Sequence, residues 1–458
     1  MRRCDMARGK KAAKALTLEE KLEQALVPEE EQPYVIPENW CWVKFGYCIE
    51  LISGRDVALS ECNDRGLGIP YILGASNINN NKFIIERWIK VPQVISRKND
   101  ILLSVKGTIG KLYIQQEESI NISRQIMAIR LPEQLILRYV YYFLQNICDV
   151  LQEAGNGLIP GISRSEILDK TFMLPPIIEQ QRIVTRIESL FAKLDEAKEK
   201  AQVVIDGFEL RKSAILHKAF TGELTEQWRK EHGVGLDSWE TVTSKKLFEY
   251  VTSGSRGWAQ YYSQSGAVFV RMGNLQHSTI ELDMSSIQYV DLPDKAEGQR
   301  SLIKKNDILI SITADVGMIG LVRDIDFEGY INQHVALARP AELESAEFIA
   351  WYLVSDVGFK QFRKKQRGAT KVGLGLNDIR TLCLDMPIMA EQKEILNILN
   401  RLMIKEHQAK QAAESVLAQI DTMKKAILVR AFRGELGTNN PSDENAIELL
   451  KEVLAEKN

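Results

Sequence analysis

At 458 residues the chain has room for two to four domains, and its 45% hydrophobic content is enough for more than one core. No apolar run reaches the roughly 18–20 residues of a membrane span, and a net charge of −2 argues against a simple basic nucleic-acid binder. Six scattered cysteines without a CxxC pair, and five scattered histidines, read as reduced thiols of a cytoplasmic protein with no disulfide frame and no zinc site.

Residues 1–37 are expected to form an N-terminal helical arm. Its basic start, Arg2-Arg3 through Lys10-Lys11, has no apolar stretch behind it and is not a secretory signal. A variable interval, 38–178, follows. It opens on Trp40 and Val43, carries a Ser53-Gly54 turn, and continues through Ile72-Leu73 to an asparagine turn at Asn77-Ile78. Lys98-Asn99-Asp100-Ile101-Leu102 reads as a turn feeding a buried strand. Gly110 closes a hairpin-like connection to Lys111–Ile114, and a further strand runs from Gln125 to Arg130. A short helix, Leu135–Leu144, and a glycine-rich loop, Gly155–Gly161, complete the interval.

A long helix and linker, 179–236, come next. Apolar residues at Ile183, Ile187, Leu190, Leu194, Ala197, Ala201, Val204 and Phe208 alternate steps of four and three, the seam of a coiled coil. The seam is interrupted at Arg211 and resumes at Ile215 and Ala219, with Gly207 the one glycine inside it.

The interval 237–389 then repeats the first skeleton in order. Trp239/Val242, Ser253-Gly254, Phe269-Val270 with Asn274-Leu275, and Lys305-Asn306-Asp307-Ile308-Leu309 match their earlier counterparts. So do Gly317, Met318–Val322, Gln333 to Arg339, a helix at Phe348–Val354 and a loop from Gly368 to Gly375. Each interval is an α+β module. Ahead of the last loop stand Lys360, Arg363, Lys364, Lys365, Arg367 and Lys371, expected to put 360, 363, 364, 367 and 371 on one helical face. That cluster reads either as a solvated charge run or as a phosphate-contacting patch beside a glycine loop.

The last segment, 390–458, is a second long helix and tail. Its seam runs Ile395, Leu399, Leu402, breaks at Glu406, and continues Ala409, Ala413, Val416, Ile420, Met423, Ile427. The same offset, 212 (391 − 179 and 431 − 219), separates Glu179-Gln180 from Glu391-Gln392 and Ala219-Phe220 from Ala431-Phe432. Pro175 and Pro387 precede the helices, and Gly222-Glu223-Leu224 and Gly434-Glu435-Leu436 follow them. Roughly forty residues at 1.5 Å each make a rod of about 60 Å. The matched lengths favour a ruler carrying two reading heads over two amphipathic helices lying on a core.

The order of variable interval, Pro-x-x-x-Glu-Gln helix ending in Ala-Phe-x-Gly-Glu-Leu, second interval and same helix again resembles the specificity subunit of type I restriction–modification systems. Pro175-Pro176-Ile177-Ile178-Glu179-Gln180-Gln181, Lys218-Ala219-Phe220-Thr221-Gly222-Glu223-Leu224, the Lys-Asn-Asp-Ile-Leu blocks and Ile331-Asn332-Gln333-His334 carry the likeness. Trp228-Arg229-Lys230-Glu231-His232 and the leading Leu16–Val27 also fit it. The resemblance implies two target-recognition domains of mixed strands and short helices, separated by two long helices that pair as an antiparallel coiled coil. It implies a bipartite, asymmetric duplex-DNA target read with two modification subunits for methylation and restriction subunits for cleavage.

Catalytic motifs are missing. The one Pro-Pro, Pro175-Pro176, lies between Leu174 and Ile177 and lacks the Asp/Asn and aromatic flanks of an adenine methyltransferase. Gly107-Thr108-Ile109-Gly110-Lys111-Leu112 has the wrong spacing for a phosphate-binding loop. The chain is therefore expected to bind no cofactor itself, with S-adenosylmethionine and ATP/Mg on the partner subunits. Candidate DNA contacts need loop positions and base-edge chemistry. They are Lys106, Thr108, Arg124, Gln125 and Arg164 in the first head, and Thr313, Asp315, Gln333, His334, Arg363, Lys364, Lys365, Arg367 and Lys371 in the second. Gln125 and Gln333 recur in both heads, which also suits a structural role. The alternatives are the specificity partner of a two-subunit enzyme outside the type I class and a coiled-coil scaffold that binds proteins only.

Overall fold

A computed structural model describes residues 16–79, 82–154, 161–254, 256–292, 299–323, 326–367 and 373–456. The chain divides into two compact units, residues 1–199 with 417–458 and residues 200–416. Each unit therefore holds one head, the start of its own long helix and the end of the other. Among the described residues no helix is long and apolar enough to cross a membrane.

In the first unit the head begins and ends on one two-stranded ribbon. Cys41–Lys44 runs antiparallel to Thr171–Leu174, with Cys41 opposite Leu174 and Lys44 opposite Thr171. A four-stranded sheet places Ile101–Ser104 between Leu112–Ile114 and Ile126–Arg130, with Glu50–Ser53 on the far edge. A second sheet centres on Ile69–Ile72, parallel to Ser119–Ile122. Helix Leu137–Ala154, longer than the sequence pattern suggested, packs on the first sheet through Tyr139, Val140, Phe143 and Leu144. Its Phe143 meets Phe432, the terminal residue of the second long helix, at 5.8 Å between ring centroids.

The second unit repeats this plan. Its ribbon is Glu240–Thr243 against Cys383–Met386, its first sheet runs Phe248–Ser253, Val335–Pro340, Ile308–Ser311, Ile319–Leu321, and Ala267–Val270 lies parallel to Gly329–Ile331. Phe220, the last residue of the helix Phe208–Phe220, stacks edge-on to Phe348 and Tyr352, each at 5.3 Å. The repeated Ala-Phe pair is thus an anchor: each long helix ends with a fully or nearly fully buried Ala and Phe in the core of the other head.

The Lys-Asn-Asp-Ile-Leu block has a definite chemistry. Asn99 and Asn306 adopt φ of 71° and 70°, the left-handed region that Asn tolerates better than other side chains. The following aspartates are buried. Asp100 accepts from the Arg97 amide at 2.8 Å and from Arg130 through Nε and Nη2 at 3.0 and 2.8 Å. Asp307 accepts from the Lys304 amide at 2.6 Å and from Arg339 through the same two nitrogens, both at 2.7 Å. Burial pushes the Asp307 carboxyl upward and the Arg339 guanidinium opposes it. The forked geometry holds the ionised pair, because a two-bond Arg–carboxylate contact returns much of the desolvation cost.

The long helices differ from the simple seam in two ways. The second is one helix, Met389–Phe432. The first is divided by Gly207 into Ile177–Asp206 and Phe208–Phe220. Arg211 folds back across that point: its Nη2 donates to the Val204 carbonyl at 2.8 Å and its Nε to Glu406 at 2.8 Å. A Cβ on residue 207 would lie 2.5 Å from Arg211 Nη1, so glycine is what lets the guanidinium pass. The two polar residues that interrupt the seams, Arg211 and Glu406, are therefore partners.

The second departure concerns Val416 and Met423, expected on the seam but 41% and 45% exposed. Ala409 is exposed as well, and the inward line through this stretch runs Lys410, Ala413, Leu417, Ile420, Lys424. A helix of 3.6 residues per turn drifts about 20° per heptad from a 3.5-residue repeat, which moves the contact by one residue over such a length. The lysine stems serve as apolar surface. Lys424 Nζ lies 5.2 Å from the Phe191 ring centroid and 2.6 Å from Asp195, and Lys410 Nζ lies 4.8 Å from Phe208. Within each unit the two helices lie side by side: Phe191 and Asp195 meet Lys424 in the first, and in the second Phe208 meets Lys410 while Arg211 meets Glu406, an antiparallel run.

The Glu-Gln pair at each helix start is a junction. Gln180 donates to the Pro175 carbonyl at 3.0 Å and Gln392 to the Pro387 carbonyl at 2.9 Å, tying the first helical turn to the ribbon strand before it. The neighbouring glutamates are fully buried and reach the tail that follows the other long helix. Glu391 accepts from Thr225 at 2.7 Å, Arg229 at 2.6 Å and Trp239 at 3.0 Å. Glu179 accepts from Thr438 at 2.5 Å and from Arg182 at 2.8 Å, and Arg182 also pairs with Asp443. Burial pushes the Cys41 and Cys148 thiols up to about 12, which keeps them protonated and unreactive.

Candidate nucleic-acid interface

Three segments distant in sequence meet at one corner of each head. In the first head the loop after strand Ile101–Ser104 is held between two others: the Val105 amide donates to the Gln125 carbonyl and the Ile162 amide to the Val105 carbonyl, both at 2.8 Å. In the second, the Ile312 amide donates to His334 and the Leu374 amide to Ile312, both at 2.9 Å. Isolated bridges repeat the match, Lys106 with Gly161 and Thr313 with Gly373.

Serine and glycine shape the loops. Ser104 Oγ donates to the Thr108 carbonyl and accepts from the Lys111 amide, each at 2.8 Å. Ser311 Oγ does the same with Asp315 at 2.6 Å and Met318 at 2.8 Å. Gly110 and Gly317 turn the chain at φ of 87° and 88°. The Ser-Gly turns complete the corner by close approach: a Cβ at Gly54 would lie 2.2 Å from the Ser123 carbonyl oxygen, and one at Gly254 would lie 1.9 Å from that of Ile331.

On this shared frame the presented side chains differ. In the first head Lys106, Thr108, Arg124 and Gln125 are exposed. Arg124 pairs with Asp56 at 2.7 Å, and Arg164 donates to Ser53 Oγ at 2.9 Å. In the second head Thr313 Oγ1 lies 2.6 Å from His334 Nδ1, and Gln333 Nε2 lies 3.1 Å from His334 Nε2. Asp315 pairs with His277 at 2.7 Å. The position matching Arg164 is Leu376, and beside it a polar cleft of about 630 Å³ is lined by Arg256, Arg300, Thr313 and Gln333. The fold thus gathers Lys106, Thr108, Gln125 and Arg164 in one head, and Thr313, Gln333 and His334 in the other, with Arg124 and Asp315 at the margins.

The basic cluster does not form the expected single face. Helix Asp356–Lys365 stops before Arg367, and Lys371 lies outside the described residues. The helix ends because the chain turns extended at Gln366 (φ −58°, ψ 139°) and Arg367 bridges back to Gly373. Much of the charge is also engaged: Lys360 pairs with Asp356 at 2.7 Å, Arg367 with Asp378 at 2.8 Å, and Lys365 donates to Thr381 at 2.9 Å. Arg363 lies over the Phe359 ring at 5.0 Å, and Arg363 and Lys364 are exposed.

The reading from sequence missed Arg256, Arg300 and His277. Arg256 stands two residues after the Ser253-Gly254 turn, a position that could have flagged it. Arg300, in the short helical turn Gln299–Ser301, and His277, in a separate bend, reach the corner with no local signal.

The model of the type I restriction modification DNA specificity domain matches residues 37–204 and 237–415. The chain belongs to that family. Its two heads are the two DNA specificity domains, and each match runs on into the long helix that follows. The chain is similar to the type I restriction enzyme EcoBI specificity subunit of Escherichia coli, at 23% identity over 451 residues, 92% of this chain and 93% of that one. The EcoKI specificity subunit of Escherichia coli (strain K12) is likewise 23% identical over 466 residues, covering 92% and 96%. Among solved structures, the HsdS subunit from Thermoanaerobacter tengcongensis shares the fold with a TM-score of 0.62 at 18% identity, over 89% of this chain and 100% of that one.

Proposed function

We propose that this chain is the non-catalytic recognition subunit of a type I restriction–modification complex. It reads an asymmetric, two-part duplex target, one half-site per head, and directs methylation through two modification subunits and cleavage through restriction subunits. The observation that carries this is the corner common to both heads: one hydrogen-bonded frame, made twice, presenting Lys106, Gln125 and Arg164 in one copy and Thr313, Gln333 and His334 in the other. A reader of two different half-sites needs the same frame with different side chains, since backbone geometry sets position and side-chain edges choose bases. In this reading S-adenosylmethionine and ATP/Mg bind the partner subunits, which fits a chain whose sequence carries neither a methyltransferase tetrapeptide nor a phosphate-binding loop. Protein alone should transfer no methyl group from S-adenosylmethionine and cut no DNA. Adding the modification subunits of the same system should yield methylation at a two-part site. Robust activity of the chain alone, or methylation by the complex without any sequence preference, overturns the reading.

A further inference from the structure

The two units share the ribbon and the Glu-Gln junction but differ in what lies over them. In the first unit the N-terminal arm closes the site. Helix Leu18–Ala25 packs against helix Ala446–Glu456, and the chain after it runs extended along the free edge of the ribbon. Val27 donates to the Trp42 carbonyl at 3.0 Å, Leu26 bridges Val43, and Gln24 accepts from Tyr47 at 3.2 Å. Ala25 and Val27 are buried, as are Cys41, Trp42 and Val43 beneath them.

In the second unit the ribbon positions matching Cys41 and Val43 are Glu240 and Val242, and Lys246, in the turn after the strand, matches Tyr47. Among the described residues Glu240–Thr243 pairs with one strand only, Cys383–Met386. Glu240 and Lys246 are exposed, and with Val242 they line an open cleft of about 550 Å³ floored by Met386, Ile388 and Ile349. Two buried polar atoms beside this cleft, Gln392 Oε1 and Ser345 Oγ, have no hydrogen-bond partner among the described residues. In the first unit the matching Gln180 Oε1 accepts from the Ile136 amide at 3.0 Å. In the second, the Ser345 amide is turned instead to the Glu342 carbonyl. Buried acceptors without donors are costly, so a donor brought to them by a docked segment would be stabilising.

We propose that this cleft takes a segment of a modification subunit built like the chain's own arm. That segment is an amphipathic helix running into a short extended stretch, with a hydrogen-bond donor for Gln392 and Ser345. The precedent is inside the molecule: the same ribbon, at the same positions, is closed by such a segment in the first unit. The inference rests on the proposed function and adds that the two units meet their partners by non-equivalent surfaces, one already closed by the arm and one open.

The test uses the full chain with the modification subunit of its own system. Native mass spectrometry and titration should show V242E/I388E binding one modification subunit at least about tenfold more weakly, the effect of placing unpaired charge in an apolar contact. The other should bind as before, and far-UV circular dichroism should be unchanged. In the otherwise unchanged chain, a photo-crosslinking residue at Lys246 should crosslink to a modification subunit. Undiminished binding by a folded V242E/I388E variant, or a Lys246 crosslink only to a second copy of this chain, overturns the proposal. If V242E/I388E does not fold, the crosslink decides it alone. If the unaltered chain binds no modification subunit, the proposed function fails first and this inference fails with it.

Discussion

The two helix junctions begin with the same residues and are neutralised differently. At Glu391 the counter-charge comes from the tail of the other long helix: Arg229, with an 8% exposed side chain, also donates to the Gly222 carbonyl at 2.6 Å. At Glu179 it comes from the next turn of the same helix, Arg182, whose side chain is 34% exposed and shared with Asp443. What the repeat preserves is the buried carboxylate and the glutamine beside it. What supplies the cation is free to change, provided the carboxylate keeps its donors. The same division holds at the reading corners, where backbone hydrogen bonds recur and side chains do not.

Insertions in the long helices should have the largest effect. Two residues inserted near Ala197–Lys200 would swing the downstream face by about 200°, and loss of soluble, assembled protein is expected on gel filtration. Four residues at the same place, between Asp195 and Arg211, overshoot by only about 40° and add about 6 Å. Methylation by the reconstituted complex should then show both half-sites unchanged and the unspecified spacer longer by about one or two base pairs, taking about 3.4 Å per step. An unaltered spacer would sink the ruler.

The junctions come next. Arg229→Ala strands the Glu391 carboxylate in a dry site and should cost about 3–5 kcal/mol. The loss should appear as faster hydrogen exchange in residues 222–239 and 389–396 of the intact protein. Arg182→Ala should cost less, about 1–2 kcal/mol, since the Arg182 side chain is itself 34% exposed and Thr438 still donates to the buried Glu179 carboxylate. Equal losses at the two sites would erase the distinction drawn between them.

A third experiment acts on the reading corners. His334→Ala removes a side chain that orders both Thr313 and Gln333. It should relax discrimination in one half-site by about 1–3 kcal/mol per affected base and leave the other half untouched, as read from methylation of randomised targets. Exchanging residues 38–178 for the first head of another family member should change the opposite half alone. Changes in both halves from either experiment would mean the heads are not independent.

Much of this plan was legible in the sequence, and the limits have physical causes. The fixed offset of the Glu-Gln and Ala-Phe pairs pointed to two equal helices, because burial at both ends fixes length. The turn at Asn99-Asp100 was legible because only a few residues tolerate that backbone. Its link to Arg130, thirty positions on, was not, since strand pairing is non-local. Arg211 and Glu406 were visible as two breaks in two seams. Nothing local says that they answer one another across the helices. The basic cluster misled because regular spacing of charge continues past Lys365 while the helix does not.

Finally, the ribbons have a consequence for chain length. Each head is inserted between two strands that hydrogen-bond to each other, so its ends are held about 4.8 Å apart whatever lies between. The inserted chain runs from residue 45 to 170 in one unit and from 244 to 382 in the other. For loop closure the entropy grows only with the logarithm of length, so that difference costs about 0.1 kcal/mol. Polymer statistics therefore place almost no constraint on how large an inserted head can be, and leave its size to whatever the half-site requires.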